Sequence, residues 1–198
     1  MRPLETLIEA FLAAEVAHSP VLASSLGLTA HDDRLDDLSG EAFARRAADA
    51  AAYRERFAAV PDAALGAEER IDRDLAVAML DGRRIQAEWA GWKRDPLVYS
   101  GTIVSGVYGL FLHRLRPEAE LVAAACARLA EARRALEQGR ANLEAALAHP
   151  LIVERAIGSA RGGARYVRDL LPFEAADPRL REQLRAAGAD AGAALDDW

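Results

Sequence analysis

The chain has one cysteine, one lysine and no apolar run long enough to span a bilayer, and each shortage removes a class of function. With Cys126 alone, neither an internal disulfide nor a thiolate metal cluster can form. Its neighbours Ala124, Ala125 and Ala127 mark it as a small buried residue rather than a nucleophile. Lys93 is the only lysine among 25 basic residues, and arginine alternates with glutamate along a chain of net charge -6. No basic face is therefore available for a phosphate backbone, which excludes nucleic acid as a partner. The amino terminus carries Glu5 and Glu9 inside its apolar run, so it lacks the core of a signal peptide. Without a stretch of about 18 apolar residues, the expectation is no membrane and a cytoplasmic setting.

Catalytic motifs are also missing. There is no HExxH, and none of the four histidines has another at i+4, so no helical zinc-binding pair can be built locally. Neither GxSxG, a P-loop nor a GxGxxG turn occurs. A di-iron bundle needs two Glu-x-x-His pairs, and only Glu15 with His18 has that spacing. The loop from Thr29 to Gly40 holds His31, Asp32, Asp33, Asp36 and Asp37, but not the alternating ligands, central glycine and final glutamate of a calcium loop. Its acids read as turn caps and arginine partners. No catalytic, cofactor-binding or metal residue is assigned.

What is abundant is alanine, at 45 of 198 positions, with modest glycine and proline. That balance favours helices over strands. The fold class is all-α, a multi-helix array or bundle of about seven to eight helices, forming a single helical region over 1-198.

The longest helical pattern runs from Pro117 to Ala148. Leu121, Ala125, Leu129, Ala132, Leu136, Leu143 and Leu147 keep to one stripe, predicting a helix roughly 48 Å long. Ahead of it, Leu4, Leu7, Ile8, Phe11 and Leu12 mark a first helix. Ser19 reads as an N-cap before Pro20, with Gly27 closing a short second helix. A third helix runs from Glu41 to Val60, and a fourth follows with Ile71, Leu75, Ala78, Met79, Ile85 and Trp89 as its expected buried face.

Leu97 to Leu112 is the least polar stretch, helical despite Gly101, Gly106 and Gly109. Tyr99, Tyr108 and the bordering His113 are its candidates for lining a groove. Pro150 and Asp177-Pro178 open two further helices. The last keeps its apolar period to Trp198 without a capping glycine or polar tail, which reads as the front portion of a longer chain.

Several stretches in order carry a family resemblance. They are Ser19-Pro20 with Leu26-Gly27, His31-Asp32-Asp33-Arg34-Leu35-Asp36-Asp37-Leu38-Ser39, Glu69-Arg70-Ile71-Asp72-Arg73-Asp74-Leu75 and Asp95-Pro96-Leu97-Val98-Tyr99. Ala141-Asn142-Leu143, Glu154-Arg155-Ala156 and Arg161-Gly162-Gly163 complete the set. Together they resemble the amino-terminal part of the bacterial family of unknown function DUF885. Its members resemble long helical zinc metallopeptidases whose HExxH helix follows the region seen here.

The resemblance implies a hydrolase of peptide-like bonds, with zinc in the full-length protein and none held by this chain. Because the motif is absent, no metal ligand or catalytic glutamate carries over. The chain is then expected to be an inert helical scaffold, with either a missing carboxy-terminal half or a homodimer partner covering its apolar face. The alternative is a stand-alone, non-catalytic interaction module.

Overall fold

A computed structural model describes residues 3–198. Its α-helices are α1 (Pro3–His18), α2 (Pro20–Ser25), α3 (Gly40–Ala58), α4 (Ala67–Trp89), α5 (Leu97–His113), α6 (Glu118–Ala130), α7 (Ala132–Asn142), α8 (Pro150–Arg165) and α9 (Pro178–Asp197). No strand occurs among the described residues, so the protein is all-α. Two compact units form, one from residues up to His18 with Gly40–Gly91, the other from Ser19–Ser39 with Trp92–Trp198.

The first unit packs α1, α3 and α4 around Leu4, Leu7, Phe11, Phe57, Leu65 and Leu80. Phe11 meets Phe57 edge-on at 5.8 Å and Tyr53 at 5.3 Å. The Tyr53 hydroxyl is satisfied by donating to the Ala10 carbonyl at 2.9 Å. Arg54 bonds Asp81 at 3.1 Å, tying α3 to α4. Glu69 accepts the Gly66 N–H at 2.9 Å, so the acidic first turn of α4 caps its own entry.

The inward face of α4 differs from the expected one. Ala76, Val77 and Leu80 point to the core, whereas Ile71, Leu75, Ala78, Met79, Ile85 and Trp89 are exposed. Polar anchoring decides between the two apolar faces. Arg73 reaches the Val60 carbonyl at 2.8 Å and Asp62 at 2.6 Å, and Asp81 holds Arg54, so the narrower face is pinned at both its ends to α3 and the turn after it.

In the second unit the single long helix expected from Pro117 is two helices. At Glu131 the N–H bonds back to Arg128 at 3.2 Å, a three-residue step that tightens the turn. The helical run then ends at Asn142 rather than continuing to Ala148. The Asn142 amide donates to the Leu38 carbonyl at 2.8 Å and to Tyr99 at 3.2 Å, and the Glu144 N–H to Lys93 at 3.0 Å. Tertiary hydrogen bonds thus capture the chain where apolar period alone would extend the helix.

Small residues let the remaining helices approach closely. A Cβ on Gly188 of α9 would lie 2.1 Å from the Val167 carbonyl oxygen, and one on Gly163 of α8 would lie 2.6 Å from Val104 of α5. Residues 166–170 after α8 widen into a π-turn. The α9 entry is capped by Asp177, which accepts from Arg179 N at 2.7 Å and Leu180 N at 3.3 Å. At its far end, the Trp198 ring lies 5.8 Å from Tyr99. Among the described residues no helix is long and apolar enough to cross a membrane.

Candidate functional site

The three groove candidates sit at different places on α5. Tyr99 is fully buried, its hydroxyl donating to the Trp92 carbonyl at 2.5 Å and accepting from Asn142. Burial pushes its phenol pKa up, with the Asn142 bond opposing. Nine residues later is half a turn around the helix, so Tyr108 emerges on the opposite side. It is half-exposed, with its ring edge-on to Tyr166 at 6.1 Å. His113 is exposed in the last turn. The three do not converge on one spot.

An open groove of about 580 Å³ instead lies where the start of α5 meets α8 and the loop before it. Pro96, Leu143, Ala148, Pro150, Val153 and Ile157 form apolar walls, and Glu144 and Glu154 bring carboxylates. Both are exposed, and Glu144 is paired with Lys93 at 2.7 Å. His149 positions this edge of α8, its Nδ1 accepting from Leu151 N at 3.2 Å. The apolar walls and the rim carboxylate suit an apolar chain carrying a basic group.

The aspartate loop is structural. Asp36 accepts from Ser19 Oγ at 2.7 Å and from Val21 N at 3.0 Å, so the oxygen capping α2 comes from Asp36 while Ser19 orients it. Asp32 accepts from Ser24 Oγ at 2.5 Å and lies 3.5 Å from Arg116 Nε. Asp37 accepts from Ser39 N and Gln138, each at 3.0 Å. Burial pushes the Asp37 carboxyl up, but the Ser39 and Gln138 hydrogen bonds and nearby Arg134 outweigh it, leaving the pKa below the ordinary value.

Arg128 stands at the centre of this loop and was not singled out from sequence. It is fully buried in α6, donating to the Gly106 carbonyl at 2.5 Å, Ser24 Oγ at 2.6 Å and the His31 carbonyl at 3.2 Å. Burial lowers its pKa while Asp32, Asp36 and Asp33 oppose the shift. The readable signal was its register, seven residues after Leu121 and three after Ala125, squarely in the apolar seam.

Tyr166, also unremarked in the sequence, opens the π-turn with a buried hydroxyl that meets no hydrogen-bond partner among the described residues. Desolvation, with Glu174 and Tyr108 adding, pushes its pKa up to about 12. Burial likewise raises the Cys126 thiol, which keeps it protonated and a poor nucleophile. Glu15 pairs with Arg83 and His18 with Asp49 at 2.7 Å, so the one Glu-x-x-His pair is engaged in separate surface contacts.

Among the described residues no group of three or more His, Cys, Asp or Glu could hold a metal ion. The described residues therefore do not fit the zinc that the resemblance implies for the full-length protein. A family model described as "Bacterial protein of unknown function (DUF885)" matches residues 20–198, nearly the whole chain. The chain belongs to the DUF885 family. No curated protein and no solved structure matches it. The DUF885 match spans the aspartate loop, the Arg128 node, α4 and the groove alike.

Proposed function

We propose that this chain is the amino-terminal helical scaffold of a cytoplasmic, metallopeptidase-like hydrolase of peptide-like substrates, catalytically inert by itself. The observation that supports this reading is the DUF885 match over residues 20–198 of a chain with no HExxH and, among its described residues, no three-ligand cluster. In this reading the apolar groove beside Glu154 offers a wall for an extended peptide carrying a basic side chain, while the attacking water and general base belong to residues outside this chain.

The test is to titrate the purified chain with zinc and assay peptide cleavage. Neither tight binding nor turnover is expected, and one tight zinc site accompanied by cleavage would overturn the proposal. Codons following that of Trp198 supply an independent check: an in-frame HExxH is expected, and a stop codon removes the larger enzyme. A second reading, a non-catalytic interaction module, is favoured by the exposed apolar face of α4.

A further inference from the structure

Helix α4 carries its apolar residues on the side turned away from its own core. Ile71, Leu75, Met79, Ile85 and Trp89 keep between 41% and 67% of their surface exposed. With Ala78 and Gly82, also exposed, they lie on one arc of about 120°. Taking roughly 200 Å² as the full area of a side chain of this size, the five leave about 600 Å² of mostly apolar surface open to water. That is at the top of the range for the largest patch on a monomer. Two such faces together bury about 1,200 Å², the lower bound for a specific, stable interface.

The order of residues along the face points to its occupant. Read outward from the level of Leu80, and apart from Met79 at the edge of the arc, small residues come first on both sides, Ala78 and Gly82, then branched aliphatics, Leu75 and Ile85, then the bulkiest pairing, Ile71 and Trp89. Each pair is equidistant from the same point. A two-fold axis there sets each of these three pairs against its counterpart in an antiparallel copy, as an isologous interface requires.

The centre of such a pair is where two helices come closest and where small residues are needed. Gly82 sits there, inside a 23-residue helix, although a Cβ on it would meet nothing within 4 Å in its own chain. Glycine at an open helix interior lowers helix stability by about 1 kcal/mol relative to alanine. Packing inside the chain gives no reason for it; a second helix crossing at that point does.

We propose that the exposed face of α4 is a homodimer interface. Two copies pair antiparallel about a two-fold axis level with Leu80, bringing Leu75 against Ile85, Ala78 against Gly82 and Ile71 against Trp89 of the other copy. The partner is a second copy of this chain, and the interface is independent of the peptide groove and of the enzyme reading above.

Analytical ultracentrifugation of the chain at rising concentration tests it. A reversible monomer–dimer equilibrium is expected in the micromolar range, given an interface of about the minimum size. Leu75→Glu and Ile85→Lys each replace an exposed residue with a good helix former, so circular dichroism should show both folded. Each alone should weaken dimerisation by at least about tenfold, because it places a charge in the apolar contact. Mixed together they should recover a heterodimer, since the new glutamate then faces the new lysine. A wild-type chain that stays monomeric throughout, as it would if this face served another partner, overturns the proposal. So does a dimer indifferent to Leu75→Glu, and a mixture that fails to recover association breaks the antiparallel register.

Discussion

The two units use different means to hold helices together. In the first, α1, α3 and α4 meet through large side chains, with Phe11, Phe57 and Tyr53 interlocked and arginine–aspartate pairs around them. In the second, glycine and alanine seams bring backbones close, and a buried arginine ties the aspartate loop to α5 and α6. The contrast teaches that apolar content alone does not show where a core is. Helix α4 has the more obvious apolar stripe, yet only Leu80 on its other face is fully buried. Helix α6 buries an arginine within an alanine-rich seam.

The sharpest way to break the comparison is Arg128→Met. It leaves Asp32 and the Gly106 and His31 carbonyls without their buried cation, and should destabilise the second unit by about 3–5 kcal/mol. Urea unfolding followed by circular dichroism measures this; a cost under about 1 kcal/mol would mean that the node is not what holds the loop.

Next comes the glycine seam. Gly188→Ala drives a methyl into the Val167 carbonyl and should cost about 1–3 kcal/mol in the same assay. By contrast, Gly82→Ala in the first unit fills open space and should stabilise α4 by up to about 1 kcal/mol, read in the monomeric Leu75→Glu background. Equal effects at the two glycines would erase the distinction between units.

The smallest effect at neutral pH is at the π-turn. The Tyr166 pKa is pushed up to about 12 by burial, whereas the unfolded chain loses that proton near 10. This contribution is therefore intact below about pH 10 and is lost as the pH rises toward the folded value. Tyr166→Phe removes an unpartnered buried hydroxyl, so it should leave neutral stability unchanged or slightly raised and flatten the alkaline loss, as thermal melts across alkaline pH would record.

Much of the helical inventory was legible because its signals are local. Pro20, Pro150 and Asp177-Pro178 mark helix starts through their own backbone limits, and Gly27 closes α2 with a φ of +84° that suits glycine. Little of the candidate groove was legible. Its walls come from residues as distant as Pro96 and Ile157, and no local period places them together. Tyr99 was visible as an aromatic in an apolar run, but its role depends on Trp92, Asn142 and Trp198 from elsewhere in the chain.

By itself, the order of amino acids determined that this protein is helical, where most helices begin and which sequence motifs it does not carry. Those outcomes follow from backbone geometry and side-chain chemistry within a few residues. Tertiary structure decided which face of α4 turns inward, where the run from Pro117 breaks, and that Asp36 rather than Ser19 caps α2. Each of those turns on a partner far along the chain, and a buried polar group goes wherever that partner can satisfy it.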